Sequence, residues 1–205
     1  MSLFNSSRAD VAGRPMFPSP QHLQDYPGGG TLDKDQFPDG TVLRTCTFLA
    51  IDEATSIVKV LKTATIVEAA AADAVAYKIA KTVNDNDQAN LILKSDIMAK
   101  SVGGASYAIS AIDQTNAGYD LITFGTTLGA MAVGDVLFQS KTSGATAGAL
   151  FVTPNGVLRN DVITGPNTFV PIIRVGAVYN RRLPFKAPQA VKDALKGFIF
   201  FSEQR

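Results

Sequence analysis

The chain has 205 residues, and 46% of them are apolar, enough for one domain of ordinary size or a somewhat large all-β one with a substantial core. Its 19 Lys and Arg nearly balance 18 Asp and Glu, so no global charge points to nucleic acid or to a membrane surface. A single cysteine, Cys46, excludes an internal disulfide and a thiolate metal cluster.

Met1 to Gly13 hold no basic region followed by an apolar run, so no signal peptide is expected. No apolar stretch approaches the roughly 20 residues of a membrane span, and a soluble protein made in a cytoplasm is the expectation. Residues 1–38 read as an extended arm. Pro15, Pro18, Pro20, Pro27 and Pro38, with Gly28-Gly29-Gly30, deny it helix and ladder hydrogen bonds. Phe4, Met16, Phe17, Leu23, Tyr26 and Phe37 are scattered through it without a period. Such a segment either pins itself in a neighbour's pockets through its aromatics or trails as a loose leader.

From Asp39 the period is two, and residues 39–183 read as a β-rich body. Val42, Arg44, Cys46, Phe48 and Ala50 share one strand face, with Leu43, Leu49 and Ile51 on the other. Asp52 to Thr55 predicts a turn, and Ile57 to Leu61 a returning strand. Val75, Tyr77 and Ile79 alternate in a third strand, and Leu91 to Leu93 makes a short fourth. The alanine-rich Glu68 to Asp73 reads equally as a helical turn or two. Ser106 to Phe124 is the clearest hairpin: Tyr107, Ile109 and Ala111 alternate, the turn formers Asp113 to Gly118 follow, and Tyr119, Leu121 and Thr123 alternate again. Gly134 to Leu137 opens another strand, Ser143 to Gly148 is a small-residue loop, and Phe169 to Val175 is strand-like. Many short strands between Gly, Asn and Asp turns predict a mainly β fold, a small barrel or sandwich-like domain with an extended N-terminal arm and a short C-terminal helix.

Residues 184–205 supply that helix and an apolar tail. Pro188 suits the first helical position and Gly197 the residue after the last. Val191, Ala194, Leu195 and Phe198 form one stripe, and about nine residues of helix must pack on something to persist. Phe198-Ile199-Phe200-Phe201 completes the core or joins a subunit contact. From Arg181 onward six bases face Asp193 and Glu203, a basic tail on a slightly acidic body. It either docks onto an acidic protein surface or is a solvated face.

Equipment for catalysis is missing from the sequence. His22 is the one histidine and lies in the arm, with no second to ligate zinc or relay a proton. Cys46 alternates into a strand face as a small apolar group. There is no Gly-x-Ser-x-Gly and no His-Glu-x-x-His, and Gly28-Gly29-Gly30 leads into Thr31-Leu32-Asp33 instead of a phosphate-cradling Gly-Lys-Ser. Asn84-Asp85-Asn86-Asp87 lacks the carboxylate and glycine a calcium loop needs next, since Gln88 and Ala89 stand there. Asn5-Ser6-Ser7 is a sequon without a secretory context. Lectin grooves typically recruit tryptophan, and this chain has none. Neither catalytic, cofactor-binding nor metal-ligating residues are assigned, and no enzyme is expected.

Two blocks carry a resemblance. The first is Asp39-Gly40-Thr41-Val42-Leu43, Leu49-Ala50-Ile51-Asp52 and Val58-Lys59-Val60-Leu61, which looks like the strand, turn, strand opening of small phage head-decoration proteins. The second is Thr153 to Leu158, Val175 to Tyr179 and Val191 to Leu195, with Ile109 to Asp113 and Gly134 to Leu137 in the middle. It resembles tailed-phage head-decoration and head-fibre (auxiliary capsid) proteins, like those of crAss-like and related Bacteroidetes phages. The resemblance implies a β-rich, usually trimeric or otherwise multimeric virion protein on the outside of an icosahedral shell. Its partners would be the major capsid protein, further copies of itself (a homotrimer) and other head-fibre proteins, with neither nucleic acid nor membrane. The arm and the basic tail are the expected capsid contacts, with Phe4, Arg8, Arg14, Phe17, Tyr26, Arg181, Arg182 and Lys186 as candidates. The alternative is a glycan-binding host-surface adhesin whose tips are Asp113 to Gly118 and Ser143 to Gly148.

Overall fold

The computed structural model describes residues 16–18, 22–82 and 89–203. The candidates Phe4, Arg8 and Arg14, most of the expected arm before Leu23, and the Asn84 to Asp87 turn lie outside those residues.

The fold is mainly β, with open sheets in a sandwich-like arrangement and one short helix near the C-terminus. The arm joins it early. β1 (Gln24–Asp25) and β2 (Gly30–Leu32) are strands, and a 3-10 turn, Lys34–Gln36, leads to buried Phe37. Residues 24–37 are therefore part of the body rather than of a free arm, because Leu32 and Phe37 find core partners and only Pro27 interrupts their pairing.

The strand expected from Asp39 to Ile51 is two strands, β3 (Val42–Leu43) and β4 (Phe48–Asp52). Between them Cys46 sits at φ +68, and Thr47 Oγ1 donates to Arg44 O at 2.6 Å. Asp161 grips this corner, accepting from the Thr45 backbone N–H and from Arg44. β5 (Ile57–Val60) then returns beside β4 as the sequence predicts, pairing Asp52 with Ile57 and Leu49 with Val60. Next come β6 (Thr63–Thr65), β7 (Ala76–Ala80) and β8 (Ile97–Ala99). Glu68 to Asp73 is not helical, and Ala70 instead bridges Met131. Leu91 to Leu93 forms no named strand: Leu91 is buried in one hydrophobic core and Ile92 in another.

β9 (Ser106–Asp113) and β10 (Tyr119–Phe124) form the expected hairpin, and β11 (Val136–Gln139) follows. β12 (Gly156–Leu158) needs its glycine, since a Cβ on Gly156 would lie 2.6 Å from Ile172 Cγ2. β13 (Val162–Ile163) pairs with β3. The strand expected over Phe169 to Val175 is broken at Pro171 into β14 (Phe169–Val170) and β15 (Ile172–Tyr179). The helix α1 (Gln189–Ala194) is shorter than nine residues, with Pro188 as its N-cap and Gly197 at φ +91 just beyond it. Val191 and Leu195 are buried, but Phe198 has left the stripe and points outward before β16 (Ile199–Ser202).

The first sheet runs β1-β15-β12-β4-β5-β2-β14, with β16 parallel to β15; the second runs β6-β11-β8-β9-β10-β7. Each sheet has its own core. Leu43, Phe48, Val58, Val157, Ile173, Val191 and Leu195 belong to the first, and Ile66, Tyr77, Ile79, Met98, Ile122 and Leu137 to the second. The chain leaves the first core after β5, builds the second, and returns before β12. The expected single body is thus a unit of two cores, one inserted in the other.

The crossing is held by charge. Lys62, its side chain 2% exposed, lies 2.8 Å from Asp96 Oδ2. Asp96 also accepts from Gln139 Nε2 at 3.0 Å and from the Leu93 backbone N–H at 2.7 Å. Gln139 N–H donates to Lys62 O, and Gln139 O accepts from Phe151 N–H, so outgoing and returning chains meet at one clasp. Burial lowers the Lys62 pKa, and the Asp96 carboxylate pulls it back up. Asp96→Ala should cost about 3 kcal/mol of stability in urea unfolding, because it strands a buried ammonium. Lys62→Met with Asp96→Leu should cost less than Asp96→Ala alone. A loss under about 1 kcal/mol for the single change would mean the pair is only a surface contact.

Three turn carboxylates set the acid response. Ala54 N–H and Thr55 hydroxyl bonds hold Asp52 below its ordinary pKa, and the Thr115 N–H and hydroxyl do the same for Asp113. The Lys100 ammonium, then the Ala132 N–H, lowers Asp135. A carboxylate whose pKa is lower folded than unfolded stabilises above the unfolded value and loses that contribution as pH falls through the folded one. The thermal midpoint should therefore begin to fall from pH 4 downward, about the free aspartate range and below it. A midpoint unchanged down to pH 2, about the lower end of that window, would contradict these bonds.

Candidate functional site

β15 organises the exposed chemistry. Its first residues, Ile172 and Ile173, pair with β12, the incoming arm pairs at Ile173 and Val175, and β16 pairs with Gly176 to Tyr179. β1 is antiparallel to it, Tyr26 N–H donates to Ile172 O at 2.8 Å, and Tyr179 N–H donates to Met16 O at 3.0 Å. Met16, Phe17, Leu23 and Tyr26 pack half-buried against the first core, Leu23 lying where a Cβ on Gly176 would otherwise sit. The aromatic docking expected of the arm is therefore partly spent on the chain's own core, and β1 makes ladder bonds that the prolines are expected to deny.

This separates the candidate contacts into two ends of one strand. Ile172 to Tyr179 spans roughly 23 Å at the rise of a β-strand. At the Tyr179 end, Phe17 adjoins the point where the arm enters at Met16, and the 3-10 turn Asn180–Arg182 carries the basic pair. Arg181 is exposed, and the Arg182 guanidinium stacks 4.3 Å from the Tyr179 ring. No acidic residue stands in the first turn of that segment. Lys186 is also exposed, beyond buried Leu183 and Phe185, and its carbonyl accepts from Thr63 Oγ1 at 3.3 Å. It leans toward the second sheet, its Nζ near Gly134.

Tyr26 belongs to the other end. There Arg174 lies 5.9 Å from the Tyr26 ring and 5.8 Å from that of Phe198, while its guanidinium binds Glu53 Oε1 at 2.6 Å. Farther along β15, opposite Ala177, Phe200 is 69% exposed. Val175, Lys192, Lys196, Phe198 and Phe200 line a shared cleft of about 450 Å³. Beside Glu53 opens the larger groove of the first sheet, about 750 Å³. Its floor is Leu32, Ala50, Ile51, Ile57 and Val152, and its rim holds Asp33, Asp35 and Asp52 with Lys34 and Lys59. Lys59 is 3.6 Å from Asp33, and Asn155 fixes one lip by donating to Ile51 O and accepting from Ile51 N–H. Sequence reading missed Arg174 as an organiser, although an arginine inside Ile172-Ile173-Arg174-Val175 was the available signal.

The suggested adhesin tips are self-satisfied. Lys81 Nζ donates to Gln114 O and Asn116 O at 2.7 Å each, and Asp113 accepts from Thr115 N–H. Ser143 to Gly148 folds back onto the start of β9, where Gly144 and Ser106 exchange backbone bonds. Burial, with Asp161 second, pushes the Cys46 thiol far up, so it stays protonated. Among the described residues no group of three or more His, Cys, Asp and Glu is placed to hold a metal ion. Among them, too, no helix is long and apolar enough to cross a membrane.

No protein-family model matches this chain, and neither a curated protein nor a solved structure matches it.

Arg174→Ala should cost about 1 kcal/mol or less of global stability, since its partners are half exposed. It should nonetheless speed backbone amide exchange across Ile199–Ser202. Unchanged exchange there would mean that the guanidinium does not hold the Phe198 ring.

Proposed function

We propose that this chain is a structural virion protein that binds the outside of a phage capsid, as a decoration protein or head-fibre base. In this reading the major capsid protein is its partner, it acts as a homo-oligomer, a trimer, and it carries no catalytic step. One observation supports the reading most: the Tyr179 end of β15 gathers the arm's point of entry, Phe17 and the Arg181-Arg182 pair. An arm leaving beside a basic pair suits an acidic protein surface, with each contact weak and several engaged together. The two-core body suits a passive spacer, since one unit can seat on the shell while the other stands clear.

The β-pairing of residues 24–26 alters where the arm can be cut. A deletion reaching Pro38 would strip β1, β2 and buried Phe37 from the first core and unfold it. The informative truncation stops at Pro15. Removal of residues 2–15 together with Arg181→Glu and Arg182→Glu should lower occupancy on emptied, reloaded capsids by roughly tenfold or more, as expected when multivalent contacts are lost. The thermal midpoint should stay within a few degrees, about the effect of a small stability change. Wild-type occupancy by that variant, quantified by densitometry of purified particles, would refute the assignment.

A further inference from the structure

Away from the basic pair, the first sheet holds two surfaces that fit each other, one beside Gly176 and Ala177 of β15 and one over β2, β5 and β4. One is a knob: Phe198 and Phe200 stand exposed at the start of β16, with Lys192 and Lys196 lining the same cleft. The other is the groove over β2, β5 and β4, with an aliphatic floor and Asp52 on its rim. Knob and groove are neighbours, since Arg174 touches the Phe198 ring on one side and Glu53, next to Asp52, on the other.

We propose that the groove receives the Phe198–Phe200 knob of a second copy of this chain. The inference rests on the self-association in the reading above and not on capsid binding. Three features select a copy of the chain as occupant. First, the floor of Leu32, Ile51, Ile57 and Val152 offers aliphatic contact without an aromatic platform, so it suits an inserted ring better than a stacked sugar. Second, three carboxylates on the rim face two lysines, of which Lys59 lies 3.6 Å from Asp33 and Lys34 lies 4.0 Å from Asp35. Asp52 is held ionised by the Ala54 N–H and the Thr55 hydroxyl, ready for an incoming ammonium. Lys196 travels with the knob and supplies one, whereas Lys192 lies 3.8 Å from Glu203 of its own chain. Third, Ile199–Ser202 contains neither proline nor lysine, the usual guards of an exposed strand edge, so covering Phe200 in an oligomer removes an aggregation hazard.

The test is the mass of the purified full chain in solution, by sedimentation and mass photometry across micromolar concentrations. The wild type should form a closed oligomer. Phe200→Asp on the knob and Ile57→Lys on the groove floor should each give monomer, and both positions are exposed enough to leave the fold intact, as circular dichroism would verify. Asp52→Lys and Lys196→Glu should each weaken association about tenfold, and the two together should restore it. The charge exchange also serves if an apolar variant fails to fold. A monomeric wild type, an oligomer indifferent to both knob and groove substitutions, or a charge exchange without rescue would overturn the inference. Capsid loading is read separately: monomers that still load would sink only this contact, whereas oligomers that never load would sink the capsid reading.

Discussion

The buried Lys62–Asp96 pair, with Gln139 as its third member, is the constraint on which the architecture turns. An ammonium 2% exposed is tolerable only beside a carboxylate, and that carboxylate is fixed by donors from Gln139 and Leu93. The three residues come from the chain leaving the first core, the loop before β8, and the end of β11. Satisfying one charge therefore fixes where the second core attaches. Lys62 also lies 4.9 Å from the Phe37 ring, which ties the N-terminal segment to the same point. Around this junction the apolar side chains are shared between the two cores, and the neighbours Leu91 and Ile92 face different ones.

With the two cores fixed, β15 becomes the long axis that distributes exposed chemistry. Its Tyr179 end presents cations and the entry of the arm, the start of β16 sets Phe198 and Phe200 beside Gly176 and Ala177, and Arg174 links that pair through Glu53 to the acid-rimmed groove. Both ends depend on the arm's pairing along β15, because Met16 and Tyr26 are hydrogen-bonded to Tyr179 and Ile172 themselves. A protein built this way has its polar groups committed to turns and junctions, as with Lys81 at the β9–β10 turn and Asp161 at the Cys46 corner.

Local structure was legible in the sequence wherever local forces decide it. Alternation from Ser106 to Phe124 predicts a hairpin because its partners are adjacent in the chain, and Pro188 with Gly197 brackets the helix. Pairing across long separations was not. Nothing in the period of Ile172 to Tyr179 reveals that β1, β12 and β16 are its neighbours, since a strand's alternation encodes its faces and not its edges. The break at Cys46 escaped for a related reason: its corner is bonded by Asp161 and Leu158, both distant in sequence. Phe198 shows the opposite error, where a helical stripe was read one turn too far past a helix that Gly197 ends. Of the contact candidates, Arg181 and Arg182 are at the arm's entry, Tyr26 is at the far end, and Lys186 leans toward the second sheet.

In the proposed assembly the Tyr179 end of β15 meets a shell, and the Phe198–Phe200 pair at the start of β16 meets a copy of the same chain. A side-chain-resolution map of intact particles tests that orientation most directly. The account predicts density for this protein with Met16, Arg181 and Arg182 turned to the capsid and Phe200 covered by a neighbouring copy. Particles lacking the protein, or holding it by the β9–β10 turn with Arg181 and Arg182 facing solvent, would contradict it.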